Sequence, residues 1–161
     1  MPSENQILTA NWVLRLPGDW AAVDDQVQGF QFESADNSKG LFIATHSIGA
    51  AHPSSVEDLA AWFLAADAAT LADMRDYAWK SLQRTVQAAD GCCMALHDSL
   101  APAQDYRVIA KILARPGQVV RASFHDYDCR DYAASQAYFA PILGSLQFVD
   151  PRAAPAGVRL H

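Results

Sequence analysis

The sequence predicts an α+β fold, built as a curved, mainly antiparallel sheet of about seven strands with helices packed on its faces in an α/β/α sandwich. Segments that alternate apolar and polar residues are joined by turns of Pro, Gly and Asp, which is typical of β-hairpins. Helical periodicity occurs in only two places. Two helices are too few for the crossovers that parallel strands require, so antiparallel pairing is favoured.

Three strands are predicted in the first third of the chain. Residues 6–16 alternate apolar and polar side chains and end at Pro17-Gly18, which breaks the pattern. Residues 27–34 continue the period of two, and residues 41–48 follow after a turn of short polar residues. The first third is therefore expected to be a β-meander.

A long helix is predicted over residues 56–74. Pro53 stops the preceding segment, and Ser54 and Glu57 form a capping box in which Ser54 is the N-cap. Residues three or four positions apart line one face of this helix, namely Val56, Leu59, Phe63, Ala66, Thr70 and Met74. Ala is frequent between them and loses almost no side-chain entropy in a helix, so helix formation is favoured.

Four further strands are predicted in the second half. They cover residues 79–88, 92–100, 106–115 and 118–127. Asp90-Gly91 and Pro116-Gly117 provide the turns, because Gly reaches the positive φ angles that tight hairpins need.

A second helix is predicted over residues 132–148. Asp128 or Asp131 is expected to cap it, because a carboxylate accepts hydrogen bonds from the unpaired amides of a helix N-terminus. Pro141 lies inside the helical pattern and is expected to cause a kink or a restart, since proline lacks the backbone N–H.

Length and charge exclude several classes of protein. The 161 residues fit one domain, expected over residues 1–150, followed by a loose tail over residues 151–161. The 12 basic and 18 acidic residues give a net charge of −6, which disfavours binding to nucleic acids. No apolar run approaches the ~20 residues that span a bilayer, so no membrane insertion and a cytoplasmic location are expected.

Two His-Asp dipeptides, at residues 97–98 and 125–126, raise the question of a metal site. Both lie on predicted strands, where neighbouring side chains point to opposite faces. The His and Asp of one dipeptide therefore cannot readily coordinate the same ion. Cys92 and Cys93 are adjacent and lack the spacing of a zinc or redox motif, so they are interpreted as core residues. Neither a metal nor another cofactor is expected.

One strand face carries a mixture of aliphatic and cationic side chains. On residues 106–115 this face holds Arg107, Ile109, Lys111 and Leu113, and the comparable face of the next strand is predicted to hold Arg121, Ser123 and His125. Such a mixture is typical neither of a core nor of a solvent-facing surface. It predicts a site for a partner polypeptide, in which aliphatic groups bury apolar surface and cations fix the register.

Several stretches together resemble a known fold. They are residues 16–20 (Leu-Pro-Gly-Asp-Trp), the Asp90-Gly91 turn, the Pro116-Gly117 hairpin and the closing residues 142–148 (Ile-Leu-Gly-Ser-Leu-Gln-Phe). With the order of elements, they resemble the PsbP-like fold and, more narrowly, the DcrB-like family that includes the Eag chaperones of type VI secretion effectors. The resemblance implies a non-catalytic cytosolic binding protein. Chaperones of this family hold the hydrophobic transmembrane segments of an effector before export.

The expected function is therefore that of a non-catalytic adaptor or chaperone for a secreted bacterial effector. An immunity protein that neutralises a cognate toxin is one alternative, because an acidic chain suits a basic toxin. A small hydrolase that uses His125 and Cys129 is another, although no oxyanion hole or third orienting group can be identified for it. The expected partner is a protein, and a homodimer is left open.

Overall fold

A computed structural model describes residues 3–23, 29–49 and 55–150 of the chain. The chain divides into two compact units, one made of the residues up to Trp20 and from Asp131 onward, the other of Ala21–Arg130. The predicted loose tail, residues 151–161, lies outside the described residues. Among the described helices none combines the length and the hydropathy needed to cross a membrane.

The described elements follow the predicted order closely. They are β1 Glu4–Leu8, β2 Trp12–Pro17, β3 Ala21–Ala22, β4 Phe30–Glu33, β5 Lys39–Ser47, α1 Val56–Asp73, β6 Lys80–Ala89, β7 Cys92–Ala101, β8 Tyr106–Arg115, β9 Gln118–Asp126, α2 Tyr132–Ser145 and β10 Gln147–Phe148. A short 3₁₀ helix, Pro102–Gln104, joins β7 to β8.

Seven strands of the second unit form one antiparallel sheet. Its order is β3-β4-β5-β9-β8-β7-β6, and every neighbouring pair is antiparallel. The β6–β7 turn has positive φ at both central residues, 54° at Asp90 and 76° at Gly91, which matches the right-handed twist of the strands it joins. The predicted α+β class and its antiparallel sheet of about seven strands are confirmed.

The predicted first strand, residues 6–16, is wrong as a single strand. The Thr9 hydroxyl accepts hydrogen bonds from the amides of Asn11 (3.2 Å) and Trp12 (3.0 Å), so the chain turns back on itself. β1 and β2 then pair with each other, and β10 pairs with β2, to form a separate three-stranded sheet in the first unit. In the seven-stranded sheet the outer position beside β4 is held by β3.

The stretch over residues 16–20 ends β2 in a closely packed turn. The Gly18 amide donates to the Ser3 carbonyl at 2.7 Å, and a Cβ atom on Gly18 would collide with the Ser3 side chain. The Trp20 indole N–H donates to the Tyr138 hydroxyl of α2 at 2.7 Å. The glycine and the tryptophan of this stretch therefore each have a local structural role.

Helix α1 begins at Val56, but its N-cap is one residue later than predicted. Its N-cap is Ser55, whose side chain accepts from the Asp58 amide at 3.1 Å, while the predicted cap, Ser54, lies outside the described residues. Of the predicted inner face, Leu59 is buried and the half-buried Val56 and Phe63 pack against the same core, but Ala66 and Thr70 are exposed. The buried positions are Leu59, Ala60, Leu64 and Asp67, so the inner face is rotated relative to the prediction.

Helix α1 packs on the β7–β8 part of the large sheet. Its buried Leu59 and Leu64 lie against a group of small and branched side chains, namely Cys93, Ala95, Ala110, Ile112, Ala114 and Val119. A buried leucine stabilises the fold by about 1.5–3 kcal/mol, so these contacts fix the helix on the sheet. Below, the α1 face means the side of the sheet that carries this core.

Helix α2 is continuous through Pro141 and ends at Ser145. Asp131 is its N-cap and accepts from the Ala134 amide at 3.1 Å, which confirms one of the two predicted caps. The helix ends earlier than predicted because Leu146 adopts an extended conformation (ψ 111°) and the next two residues form β10. The predicted restart at Pro141 is therefore not observed.

Candidate functional site

The seven predicted site residues do not share one face of the sheet, so that prediction is wrong. Arg107 of β8 pairs with Asp126 of β9, whereas Arg121 of β9 pairs with Ile112 of β8. Directly paired residues lie on the same face, so the odd-numbered residues of β8 and those of β9 point to opposite sides. Arg107, Ile109, Lys111 and Leu113 lie on one side, and Arg121, Ser123 and His125 lie on the α1 face.

The turn between β8 and β9 explains this separation. Pro116 and Gly117 form a two-residue connection, so Arg115 pairs with Gln118 and every odd residue of β8 pairs with an even residue of β9. Turn length alone sets this parity, because side chains alternate with a period of two. The sequence therefore contained the information needed to separate the two groups.

The four β8 residues of the predicted site are buried. Arg107 is 3% exposed, and its guanidinium forms two 2.9 Å hydrogen bonds to the carboxylate of Asp98 on β7. Lys111 is 6% exposed, and burial lowers the pKa of its ammonium to about 8. Arg107 and Lys111 are thus internal groups, and a partner could not reach them without local opening.

The other three predicted residues line a groove on the α1 face. Three cavities of about 350, 280 and 130 Å³ lie here and share lining residues. We call them together the α1 groove. Its principal lining residues are Phe42, Asp67, Leu71, Tyr77, Trp79, His97, Tyr106, Arg121, Ser123 and His125.

His125 is held by hydrogen bonds on both ring nitrogens. Its Nδ1 lies 2.6 Å from the Tyr106 hydroxyl, and its Nε2 lies 2.8 Å from the Ser123 hydroxyl. Burial lowers the pKa of His125 to about 4, so the imidazole is neutral at neutral pH. A hydroxyl can donate or accept, so both nitrogens of a neutral ring are satisfied in either tautomer.

Aromatic rings surround this histidine. Tyr127 stacks on His125 with ring centroids 5.6 Å apart, and Phe42 meets it edge-on at 5.2 Å. Gly40 makes room for Tyr127, since a Cβ atom there would lie 3.0 Å from the Tyr127 hydroxyl oxygen. Burial raises the pKa of Tyr106 and of Tyr127, so both phenols are neutral and present apolar ring surface.

A second aromatic group lies at the end of α1. Tyr77 and Trp79 stack with centroids 5.6 Å apart, and Trp79 contacts Tyr106 edge-on at 5.1 Å. The two groups therefore meet at Tyr106, which belongs to both. Together they give the α1 groove a continuous aromatic wall.

Asp67 joins the helix to the sheet inside the groove. It is 8% exposed, and its carboxylate forms an ion pair with the guanidinium of Arg121, whose side chain is 40% exposed. A buried carboxylate needs such a partner, because an unpaired charge in a dry environment is costly. Arg121 therefore neutralises Asp67 and is not a free cation for a ligand.

His97 forms the floor between two of the cavities. Its Nε2 lies 2.8 Å from the Ser81 hydroxyl, and its Nδ1 has no hydrogen-bond partner among residues 3–23, 29–49 and 55–150. Burial is the main cause of the lowered pKa of His97. At neutral pH the groove thus carries two neutral imidazoles and one internal ion pair.

Sequence reasoning missed Asp67, Tyr77, Trp79 and Tyr106. Tyr106 could have been found from the two-residue turn at Pro116 and Gly117. That turn places the even-numbered residues of β8 on the same face of the sheet as His125. Tyr77 lies between α1 and β6, where no periodicity marks the direction of a side chain, and Trp79, predicted to begin a strand, precedes β6. Asp67 lies on the buried side of an apolar helix, which hydropathy alone does not predict.

The cysteines do not line the α1 groove. Within the described ranges, no three His, Cys, Asp or Glu side chains are grouped in a way that could hold a metal ion. Cys93 is buried, and burial raises the pKa of its thiol, which disfavours the reactive thiolate. Cys129 is also buried and does not line the groove.

The first unit has a larger cavity, of about 540 Å³. Residues of β1, β2 and α2 line it, including Val13, Pro17 and Ile142, with Glu4 and Arg15 as its charged groups. It contains none of the seven predicted site residues.

Comparison with solved structures identifies the fold. The solution structure of cyanobacterial PsbP (CyanoP) from Synechocystis sp. PCC 6803 matches with a TM-score of 0.68 over 92% of this chain and 94% of that chain. The chain has a PsbP-like fold. At 12% sequence identity the PsbP-like match establishes the fold alone.

A second match adds no argument to the PsbP-like fold. A crystal structure from Bacteroides thetaiotaomicron VPI-5482 covers 94% of this chain and 50% of that chain, at 13% identity and a TM-score of 0.49. No family model and no curated protein sequence matches the chain.

Proposed function

We propose that this protein is a non-catalytic protein-binding module that holds an apolar segment of a partner polypeptide in the α1 groove. The observation that carries the proposal is a concave surface with an aromatic wall, in which both ring nitrogens of His125 and the carboxylate of Asp67 have partners within the protein. Binding sites for apolar groups are typically concave, mainly apolar and supplied with a few oriented polar groups. Each leucine- or phenylalanine-sized side chain buried there contributes about 1.5–3 kcal/mol.

The biological role we propose is that of an adaptor or chaperone for a secreted effector of a type VI secretion system. The PsbP-like fold supports it, together with the resemblance of residues 16–20 and 142–148 to the DcrB-like family. A chaperone of this kind must mask hydrophobic residues of its client and perform no chemistry on them. The α1 groove has the apolar character that such masking requires.

The state of His125 supports binding over catalysis. A general base must accept a proton in the transition state, and it works best with a pKa near the working pH. Burial lowers the pKa of His125 to about 4, and its partner opposite Ser123 is a neutral tyrosine and not a carboxylate. The Cys129 thiol of the alternative hydrolase does not line the groove. A fluorophosphonate probe is expected to leave Ser123 unlabelled, and labelling there would favour a hydrolase.

A pair of α1 variants tests the groove. Leu71 lines two of its cavities, whereas Ala69 is exposed on the same helix and lines none. Leu71→Asp is expected to reduce co-purification with a co-expressed hydrophobic segment of a candidate type VI secretion effector by at least about tenfold. Ala69→Asp adds the same charge and is expected to leave capture unchanged. Equal capture by both folded variants would contradict the proposal.

An immunity role predicts a different partner. An immunity protein binds the folded toxin domain and protects cells that express it, with no need for a hydrophobic segment of the effector. Capture of the toxin domain alone, insensitive to Leu71→Asp, together with protection of the cells, would therefore favour immunity over the chaperone proposal.

A further inference from the structure

Strand β6 forms one edge of the seven-stranded sheet and pairs only with β7 within the described chain. It is ten residues long, and every residue except the half-buried Thr85 is exposed. The opposite edge strand, β3, has only two residues. The β6 edge is thus the long edge that the described part of this sheet offers, and a strand edge presents backbone groups that another strand can pair with.

The β6–β7 turn determines which backbone groups face outward. Asp90 and Gly91 form a two-residue turn, so Ala89 and Cys92 flank it as a hydrogen-bonded pair. In antiparallel sheets hydrogen-bonded and non-hydrogen-bonded pairs alternate. The amide and carbonyl groups of Arg84, Val86 and Ala88 therefore point away from β7, toward the open edge.

Edge strands usually carry bulges, charges or prolines that prevent pairing with another chain, and in β6 these features are concentrated in the first half. A register shift between Ser81 and Gln83 interrupts the regular ladder at its beginning. From Gln83 to Ala89 the pairing is regular, and the segment contains no proline and a single charged residue, Arg84. Val86 is 46% exposed in the middle of it. This segment has the features that favour addition of a strand.

Charge favours an acidic partner strand over a second copy of this chain. β6 carries Lys80 and Arg84 and no acidic residue, although the whole chain has a net charge of −6. Pairing of two β6 strands would bring four cations to one interface with no carboxylate on either strand, which like-charge repulsion disfavours. An extended segment with a carboxylate near Arg84 is attracted instead.

We infer that the Gln83–Ala89 edge of β6 is a docking site for an extended, acidic segment of a partner protein, which adds an eighth strand to the sheet. Main-chain hydrogen bonds to Arg84, Val86 and Ala88 provide the pairing, and Arg84 selects a carboxylate. This site is separate from the use of the α1 groove, and its occupation does not depend on the proposed function.

The test uses a fluorescein-labelled, acetylated heptapeptide of alternating Val and Glu, titrated with the purified protein and followed by fluorescence anisotropy. The same peptide with N-methyl groups on every backbone amide keeps its charge but has no N–H group on either edge to donate to a ladder, and it is expected to bind at least about tenfold more weakly. A heptapeptide in which Lys replaces Glu is expected to bind as weakly, because Arg84 repels it.

Two variants at one position separate pairing from side-chain contact. Val86→Pro removes an outward N–H, which edge strands tolerate, and is expected to weaken binding by about tenfold or more. Val86→Thr keeps that N–H and a β-branched side chain, and its affinity is expected to stay within about twofold. Far-UV circular dichroism confirms that both variants are folded.

Three results would overturn the inference. They are equal binding of the N-methylated and unmodified Val-Glu peptides, no loss of affinity in folded Val86→Pro, and no binding at millimolar peptide. Light scattering after size-exclusion chromatography tests whether a second copy of this chain occupies the edge. A wild-type dimer that Val86→Pro converts to a monomer would assign the edge to a second copy of this chain and would also overturn the inference.

Discussion

At the residue scale, the groove shows how neighbours decide the role of an ionisable side chain. His125 has the residue type of a catalytic base, but its two hydrogen bonds and its burial keep it neutral. Arg121 has the charge of a ligand-binding residue, but Asp67 neutralises it. Residue type alone would therefore predict a catalytic or ligand-binding group at two positions where the neighbouring residues give the side chain a structural role.

The neutral His125 predicts a loss of stability in mild acid. Its pKa falls from an ordinary 6.5 to about 4 in the folded protein, so between these values the unfolded chain binds a proton that the folded chain does not. Folding stability is therefore highest above pH 6.5 and is expected to fall by about 2–3 kcal/mol as the pH drops toward 4. Urea unfolding at a series of pH values measures this loss.

A variant isolates the contribution of that imidazole. His125→Gln retains hydrogen-bonding groups but does not titrate, so its stability is expected to fall less between pH 6.5 and 4. His97, whose pKa burial also lowers, accounts for part of the slope that remains. An unchanged pH dependence in His125→Gln would contradict the assignment.

The buried pair of Asp98 and Arg107 gives a second prediction. Asp98→Ala removes two hydrogen bonds from a carboxylate to the buried Arg107 guanidinium and is expected to lower the free energy of unfolding by about 3–5 kcal/mol. The control is Asp128→Ala, which removes the solvent-exposed ion pair with Arg130 and is expected to leave the urea midpoint unchanged. Similar losses in both variants would show that Arg107 finds another partner.

At the scale of elements, strands were predicted well where turns were strong. β8 agrees with its predicted bounds, and β7 and β9 differ at one end only, because Asp90-Gly91 and Pro116-Gly117 fix where these strands stop. The first strand failed because Thr9 is an inconspicuous turn residue whose hydroxyl reverses the chain. The accuracy of the predicted strand bounds therefore depended more on how recognisable the turn residues were than on hydropathy.

The inner face of α1 shows a limit of hydropathy patterns. Ala occurs on all sides of this helix and does not distinguish them. Trp62 is 66% exposed while Asp67 is buried, which reverses the usual preferences. The ion pair between Asp67 and Arg121 explains the second case, because a distant strand supplies the compensating charge. Such a partner cannot be inferred from the helix alone.

Two glycines provide a matched prediction about turns and helices. Gly91 has φ +76° in the β6–β7 turn, so Gly91→Ala forces a left-handed conformation on a side chain and is expected to cost about 1 kcal/mol. Gly144 lies in α2 with open space around its Cβ position, so Gly144→Ala is expected to add about 0.5 kcal/mol of stability. Thermal unfolding compares the two, and equal shifts would contradict the conformational explanation.

At the scale of the whole molecule, the fold class followed from the sequence but the strand order did not. Counts of hairpins and helices sufficed for an antiparallel α+β fold. The insertion of β9 between β5 and β8 depends on pairing between distant residues, such as Ser47 with Gln118, which no local period records. For the same reason the prediction that the β8 and β9 site residues share one face was wrong, although the three β9 residues do line the α1 groove.

Distant pairing also predicts how fast the chain folds. β5 and β9 must meet across the intervening α1, β6, β7 and β8. The entropy of closing such a loop is lost before the contacts form, so folding is expected on a timescale of about milliseconds to seconds. Stopped-flow tryptophan fluorescence after dilution from urea measures it, and relaxation within microseconds would contradict the observed strand order.

The two-residue connection at Pro116 and Gly117 restricts which changes in length the gene can accept. Surface loops generally accept insertions and deletions. A single residue added or deleted at this connection without a compensating bulge would exchange inside and outside along β9, moving Phe124 toward the groove and His125 away from it. Natural length variants of this protein are therefore expected to keep this connection constant or to change it by two residues at a time.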